Sequence, residues 1–349
     1  MRPLPRVRRH PTLRCCKSFG PRRNLVAWMV ALASTAVFGA LALRWLLLQS
    51  AGGPRFGASA SSWLYSRPPV LPEAAFIAVH VRSPLSTDPV ERLAALRLAE
   101  VRRATFTSRD GAGRETRRVL EPRVVFENAP RAPLSRDDID AWLGHPNLEF
   151  VEASRVEERA RLGPAFDTFS GIYGAAVKAR VLRWLAESSA HDRAWVLEPD
   201  CVYTEASWVE FFQAYDERYP DHDLIAADST KSTGGAAWAH AASCTYCAEG
   251  DGRWRTAFLP VFRVSKRLAR AVIDELARNA TGHHEAFIPT VCSRLPGCQW
   301  APVDGGGGVF RYRPFLKKDE ARSKKATGKL YHPVKSAEVF RELVNRTYE

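Results

Sequence analysis

The stretch WVLEPDCVYT, residues 195–204, decides how the chain is read. An apolar run, Trp195-Val196-Leu197, ends on two carboxylates one residue apart, Glu198 and Asp200, and then turns apolar again. A short apolar run closed by a proline fits a buried strand. Residues two apart on an extended backbone face the same side, and Pro199 keeps Glu198 out of helical space. Both acids therefore stand at the carboxyl end of a strand, where ligands bind in an open α/β sheet. Two converging hard oxygen donors suit Mg2+ or Mn2+ shared with a phosphate.

The surroundings of this stretch alternate strand with helix. Strands are expected at 75–81 (AFIAVHV), 123–128, 194–203 (AWVLEPDCVY), 223–228 and 257–264. Helices are expected at 89–104, 135–143, 174–187, 207–215 and 265–280. Ser265 is placed to cap the last of these, with Leu268, Val272 and Leu276 along one face. Such alternation predicts an α/β domain with a mostly parallel central sheet. No internal repeat is present, and DGGGG (304–308) reads as a loop.

The amino-terminal quarter has a different composition. Residues 1–24 hold eight Lys or Arg and no acid, and residues 25–43 are an uncharged apolar run. That run is about 28 Å long as a helix, close to the hydrocarbon thickness of a bilayer. With its basic flank on the cytoplasmic side, it predicts a cytoplasmic tail (1–24), a transmembrane signal anchor (25–48), a Gly/Ser/Pro-rich stem (49–72) and a luminal domain (73–349). The run exceeds the h-region of a cleaved signal peptide. The net charge of +13 is concentrated in that tail rather than on an aromatic-studded face, which excludes a nucleic-acid partner.

Seven cysteines follow the same division. Cys15 and Cys16 fall in the tail, while Cys201, Cys244, Cys247, Cys292 and Cys298 fall in an oxidising compartment if the topology holds. Cys244, Cys247, Cys292 and Cys298 admit three disulfide pairings or a loose zinc site with His283 or His284; disulfides suit the compartment better. Cys201 is expected to be a buried free thiol. The sequons at Asn279 and Asn345 suit a glycoprotein.

Three local signals now stand together: the acid pair in WVLEPD, Glu285 in HHEAFIPT (283–290), and His332 in YHPVK (331–335). Set in this frame over about residues 75–335, they resemble the nucleotide-sugar-dependent glycosyltransferases of the GT-A fold, which in eukaryotes are commonly single-pass type II proteins of the Golgi membrane. The resemblance implies one GT-A-like domain and a Mn2+ or Mg2+ ion held by Glu198, Asp200 and His332 on the diphosphate of a sugar nucleotide. It implies an acceptor-side role for Glu285: the general base if the reaction inverts, a positioning group if it retains. Glu198 in place of the usual first aspartate is a tolerated departure. The implied partners are a nucleotide sugar and a glycan or glycoprotein acceptor.

Further donor contacts are expected from His80 and Arg82, at the end of the first strand, and from Lys178 and Lys335 toward phosphate. Lys178 reads better as part of a solvated helix face than as a phosphate contact. The lysines between 317 and 329 are placed to attract an anion, Trp238 and Trp254 suit sugar stacking, and Asp228 ends a strand. Two other classes compete. A catalytically inactive luminal protein of the same fold would bind glycans or partners without turnover. A glycoside hydrolase needs a spaced acid/base pair that this sequence does not display.

Overall fold

The computed structural model describes residues 70–79, 89–109, 112–127, 135–144, 148–170, 175–204, 207–228, 244–248, 254–304, 308–311, 314–324 and 328–344. The chain divides into two compact units, Met1–Ser66 and Arg67–Glu349. The first, with the basic tail and the apolar run, lies outside the described residues, as do His80, Arg82 and Trp238. Among the described residues no helix is long and apolar enough to cross a membrane.

The second unit is an α/β domain. Its strands are β1 (Val70–Val79), β2 (Thr105–Arg109), β3 (Glu115–Glu127), β4 (Glu149–Ala153), β5 (Arg193–Leu197), β6 (Val202–Tyr203), β7 (Leu224–Asp228), β8 (Ala257–Ser265), β9 (Trp300–Ala301) and β10 (Leu330–Tyr331). Its helices are α1 (Pro89–Ala99), α2 (Arg136–Leu143), α3 (Arg155–Leu162), α4 (Ala165–Ser170), α5 (Ala175–Glu187), α6 (Trp208–Arg218), α7 (Thr245–Ala248), α8 (Lys266–Ala277), α9 (His284–Arg294), α10 (Lys318–Lys324) and α11 (Ala337–Val344). The expected cap forms, with Ser265 accepting from Leu268 N at 3.1 Å, and Ser135 also closes a capping box with Asp138.

The main sheet runs β2-β3-β1-β5-β8-β7-β9, with β4 on the carboxyl half of β3. The sheet is mainly parallel, as expected, with antiparallel pairings at β2 and β8. β1 pairs parallel with β3 and β5, but β8 lies antiparallel between β5 and β7. β8 is buried almost throughout, so its sequence carries no alternation from which a direction can be read. The expected strand 194–203 is also split. Cys201 N donates to Glu198 O at 3.1 Å, a turn that ends β5 and sends Val202–Tyr203 into a separate ribbon with β10. The first strand starts at Val70 rather than Ala75, and the edge strands β2 and β4 were not foreseen.

Alternation along the strands feeds two hydrophobic layers. Ala75, Trp195 and Leu197 face one cluster, while Ala74, Phe76, Ala194 and Val196 face the other. Trp195 packs its ring 5.4 Å from Phe211 and 5.1 Å from Phe212 of α6. On the opposite layer Phe76 meets Trp184 of α5 edge-on at 5.0 Å. Burying such aromatics on both faces holds β5 rigid, and β5 delivers the acid pair.

Candidate metal and anion site

β5 ends where its last ladder bond, Glu198 N to Pro260 O, is made at 2.7 Å. The turn that follows keeps Asp200 buried and leaves Glu198 partly open. The carboxyl-terminal segment is then laid along this turn. β10 pairs with β6, and Val334 N donates to Asp200 O at 2.9 Å. His332 N donates to Val309 O at 2.8 Å, which fixes the backbone of the histidine opposite the acids.

His332 Nε2 lies 3.4 Å from Asp200 Oδ2 and 3.7 Å from Glu198 Oε2. Its other nitrogen, Nδ1, is 2.8 Å from Arg311 O, an acceptor that places the proton on Nδ1. Phe258 and Phe310 flank the ring at 5.2 and 6.0 Å. Burial alone would lower the pKa of His332, but hydrogen bonds to Asp200 and Glu198 push it up to about 9. Desolvation would raise Glu198; the charge of Lys178 and its bond to His332 hold it well below the ordinary value instead.

Two lysines complete the cluster. Lys178 Nζ, on α5, donates to Glu198 Oε1 at 2.8 Å, and Lys335 Nζ is 2.6 Å from Asp200 Oδ2. Lys178 is buried, so the solvated-face reading of this residue is corrected. With His332 protonated, three cations face two carboxylates. The Nε2 proton would give way to a bound divalent ion, and the two lysines would still suit an anion. Glu285, near the start of α9, belongs to the same field. Burial pushes it up to about 7, with Lys178, Glu198 and His332 all acting on it and the backbone of Leu259 bonding to it.

Asp200 and His332 fit a divalent ion, and Glu198 approaches the imidazole at 3.7 Å although it stands outside the group whose donor atoms all lie within 4.8 Å of one another. Cis ligands of a small hard cation stand about 3 Å apart, close to the spacings from His332 to the two acids. A ligating histidine characteristically gives its second N–H to a carbonyl, as Nδ1 does here. Asp200, Cys201 and His332 also offer donor atoms within 4.8 Å of one another. Cys201 Sγ, however, points to Pro260 O at 3.5 Å, and burial with the charge of Asp200 pushes the thiol well up. A small hard cation prefers oxygen and imidazole donors to this thiol, so the carboxylates and the imidazole form the better donor set.

The other expectations sort cleanly. The four remaining described cysteines form Cys244–Cys247 and Cys292–Cys298, which removes the zinc reading. His283 accepts from Glu285 N at 3.4 Å as the cap of α9. A side chain at Gly282 would collide with Cys244 Sγ, so glycine lets the first disulfide seat beside that cap. Trp254 packs on a core layer rather than standing free for a sugar. The sequence points to His284 only as a zinc ligand; its Nε2 instead lies 3.1 Å from Lys178 Nζ, a contact spanning 106 residues that was not foreseen.

No family model matches the chain, and no curated protein matches it. Solved structures do. Mouse xyloside xylosyltransferase 1 in its apo form is 12% identical, with a TM-score of 0.37 over 75% of this chain and 97% of that one. The galactosyltransferase LgtC, solved with donor and acceptor sugar analogues, is 11% identical, with a TM-score of 0.41 over 79% and 84%. A 4-diphosphocytidyl-2C-methyl-D-erythritol synthase from Anaerococcus prevotii is 10% identical, with a TM-score of 0.37 over 67% and 86%. At these scores the likeness carries no argument about chemistry; the site's own geometry does.

Proposed function

We propose that the domain is a glycosyltransferase of the GT-A type, moving a sugar from a nucleotide-sugar donor to a hydroxyl of a glycan or glycoprotein. The observation that carries this reading is the approach of His332 Nε2 to Glu198 and Asp200 beside two lysines. That arrangement suits a Mn2+ or Mg2+ ion and a diphosphate together. Glu198, Asp200 and His332 would hold the divalent ion, which when bound would supply positive charge for the diphosphate. Lys178 and Lys335 add N–H donors and charge of the same sign.

Glu285 is the group assigned here to take the proton. In an inverting reaction the acceptor oxygen bonds to the anomeric carbon, the bond from that carbon to the diphosphate breaks, and the acceptor's proton passes to Glu285. A carboxyl pushed up to about 7 is well matched to that duty near neutral pH. In a retaining reaction Glu285 positions the acceptor instead. Anchorage by residues 25–48 in a Golgi membrane with the domain in the lumen belongs to the same proposal, and it rests on the basic tail, the apolar run and the two disulfides.

A panel of nucleotide sugars incubated with the full-length chain and Mn2+ tests the reading. Sugar transfer or slow donor hydrolysis that needs the metal and disappears in Asp200→Ala is the expected result. An inverting enzyme should gain rate as pH rises through about 7, because Glu285 must shed its proton first. A folded protein that binds donor but turns over none of the panel favours the inactive relative.

A further inference from the structure

The acid pair is the middle of a longer chain of hydrogen bonds. His284 Nδ1 is 3.2 Å from the backbone oxygen of Phe169 on α4, so that nitrogen carries the proton. Its Nε2 is then bare and accepts from Lys178 Nζ at 3.1 Å. Lys178 gives a second N–H to Glu198 Oε1 at 2.8 Å. Glu198 is left with Oε2 toward His332, whose own Nδ1 is tied to Arg311 O. Both ends of the relay are backbone carbonyls, one on α4 and one in the segment before α10, and neither moves without its element.

His284 is poorly explained as packing alone. It is buried against Phe169 and His283, at 6.0 and 4.1 Å between ring centroids, in a place a leucine would fill. What an apolar residue would not supply is a lone pair for the ammonium of Lys178. Without it, a buried cation keeps one partner fewer, and its hold on one oxygen of Glu198 loosens.

We propose that His284 is a positioning residue: through Lys178 it fixes Glu198 so that one carboxylate oxygen stays free for a divalent cation. This rests on the reading of Glu198, Asp200 and His332 as the cation's ligands. His284 is thus neither the base nor a ligand. It acts one step beyond Lys178, the direct partner of Glu198. Loss of such a direct partner characteristically lowers metal affinity about 10–100-fold, and loss of His284 should fall toward the lower end of that range.

Mn2+ binding to the full-length chain without nucleotide, followed by electron paramagnetic resonance, reads this directly. His284→Leu should weaken binding by about tenfold, and His284→Gln, which can accept from Lys178 and donate to Phe169 O, should restore most of it. Asp200→Ala should abolish it. If His284→Leu folds and binds Mn2+ as the parent does while Asp200→Ala does not, this inference fails and the ligand reading stands. If the parent binds no Mn2+, both fail. Nitrogen-15 NMR of the parent's histidines is independent of any variant's folding. One buried neutral imidazole protonated on Nδ1 is expected for His284, and the Nε2–H form or an imidazolium there overturns the relay.

Discussion

β5 carries an ionic cluster at each end, and the two are built differently. At its amino end, fully buried Asp216 pairs with Arg263 and with Arg193 at 3.2 Å. Arg263 spends its other nitrogen on the carbonyls of Tyr219 and His222, at 2.6 and 3.1 Å. Glu73 lies fully buried alongside, 4.0 Å from Arg118. At the carboxyl end, Lys335 is 49% exposed and Glu198 30%, and among the described residues Glu198 and Asp200 each pair with one lysine and with His332. Both clusters reach backbone oxygens, but the first is buried with its carboxylate between two arginines, and the second is left open on one side.

Breaking the closed cluster should cost the most stability. Asp216→Ala leaves Arg263 and Arg193 buried without their carboxylate and should lower unfolding free energy by about 3–5 kcal/mol in denaturant titration. Mn2+ affinity per folded molecule should stay unchanged. At the open cluster the pattern inverts: Asp200→Ala should lose at least the ~100-fold in Mn2+ affinity seen for outer-shell partners, with little change in stability. A large stability loss there would make the acid pair a folding element and erase the contrast.

A third test uses pH. Burial and the charge of Asp216 push Glu73 up to about 8 from its ordinary 4.5. The folded chain then keeps a proton that the unfolded chain releases above about pH 4.5, so stability should fall as pH rises from there to about 8. Glu73→Gln should remove that fall, whose slope is at most about 1.4 kcal/mol per pH unit. An unchanged slope would mean Glu73 is already ionised and paired. The smallest effect belongs to Lys335→Ala. This half-exposed pair should matter by less than about 1 kcal/mol to stability, yet nucleotide affinity should drop and become less sensitive to salt.

The open cluster was largely legible in the sequence and the closed one was not. Glu198-Pro199-Asp200 stands out because two acids interrupt an apolar run, and Glu285 and His332 sit in short segments with a recognisable place in the resemblance. Lys178 was named, but its burial was not, since a lysine among alanines and arginines gives no sign of which side faces the core. The contact of His284 was beyond reach because its partner is 106 residues away. For the closed cluster one signal existed. Trp208, Phe212 and Asp216 recur every four residues along α6 and all are buried, so Asp216 lies on the apolar stripe and requires a cation. Its partner Arg263 falls within the otherwise apolar AFLPVFRVS of β8. That same unbroken burial concealed the antiparallel direction of β8.

Calorimetric titration of UDP and GDP into the full-length protein, with and without Mn2+, tests the central claim most directly. Binding of one nucleotide that requires Mn2+ in the parent and vanishes in a folded Asp200→Ala variant is the predicted result. Binding that ignores Mn2+, or that survives the loss of Asp200, would contradict it.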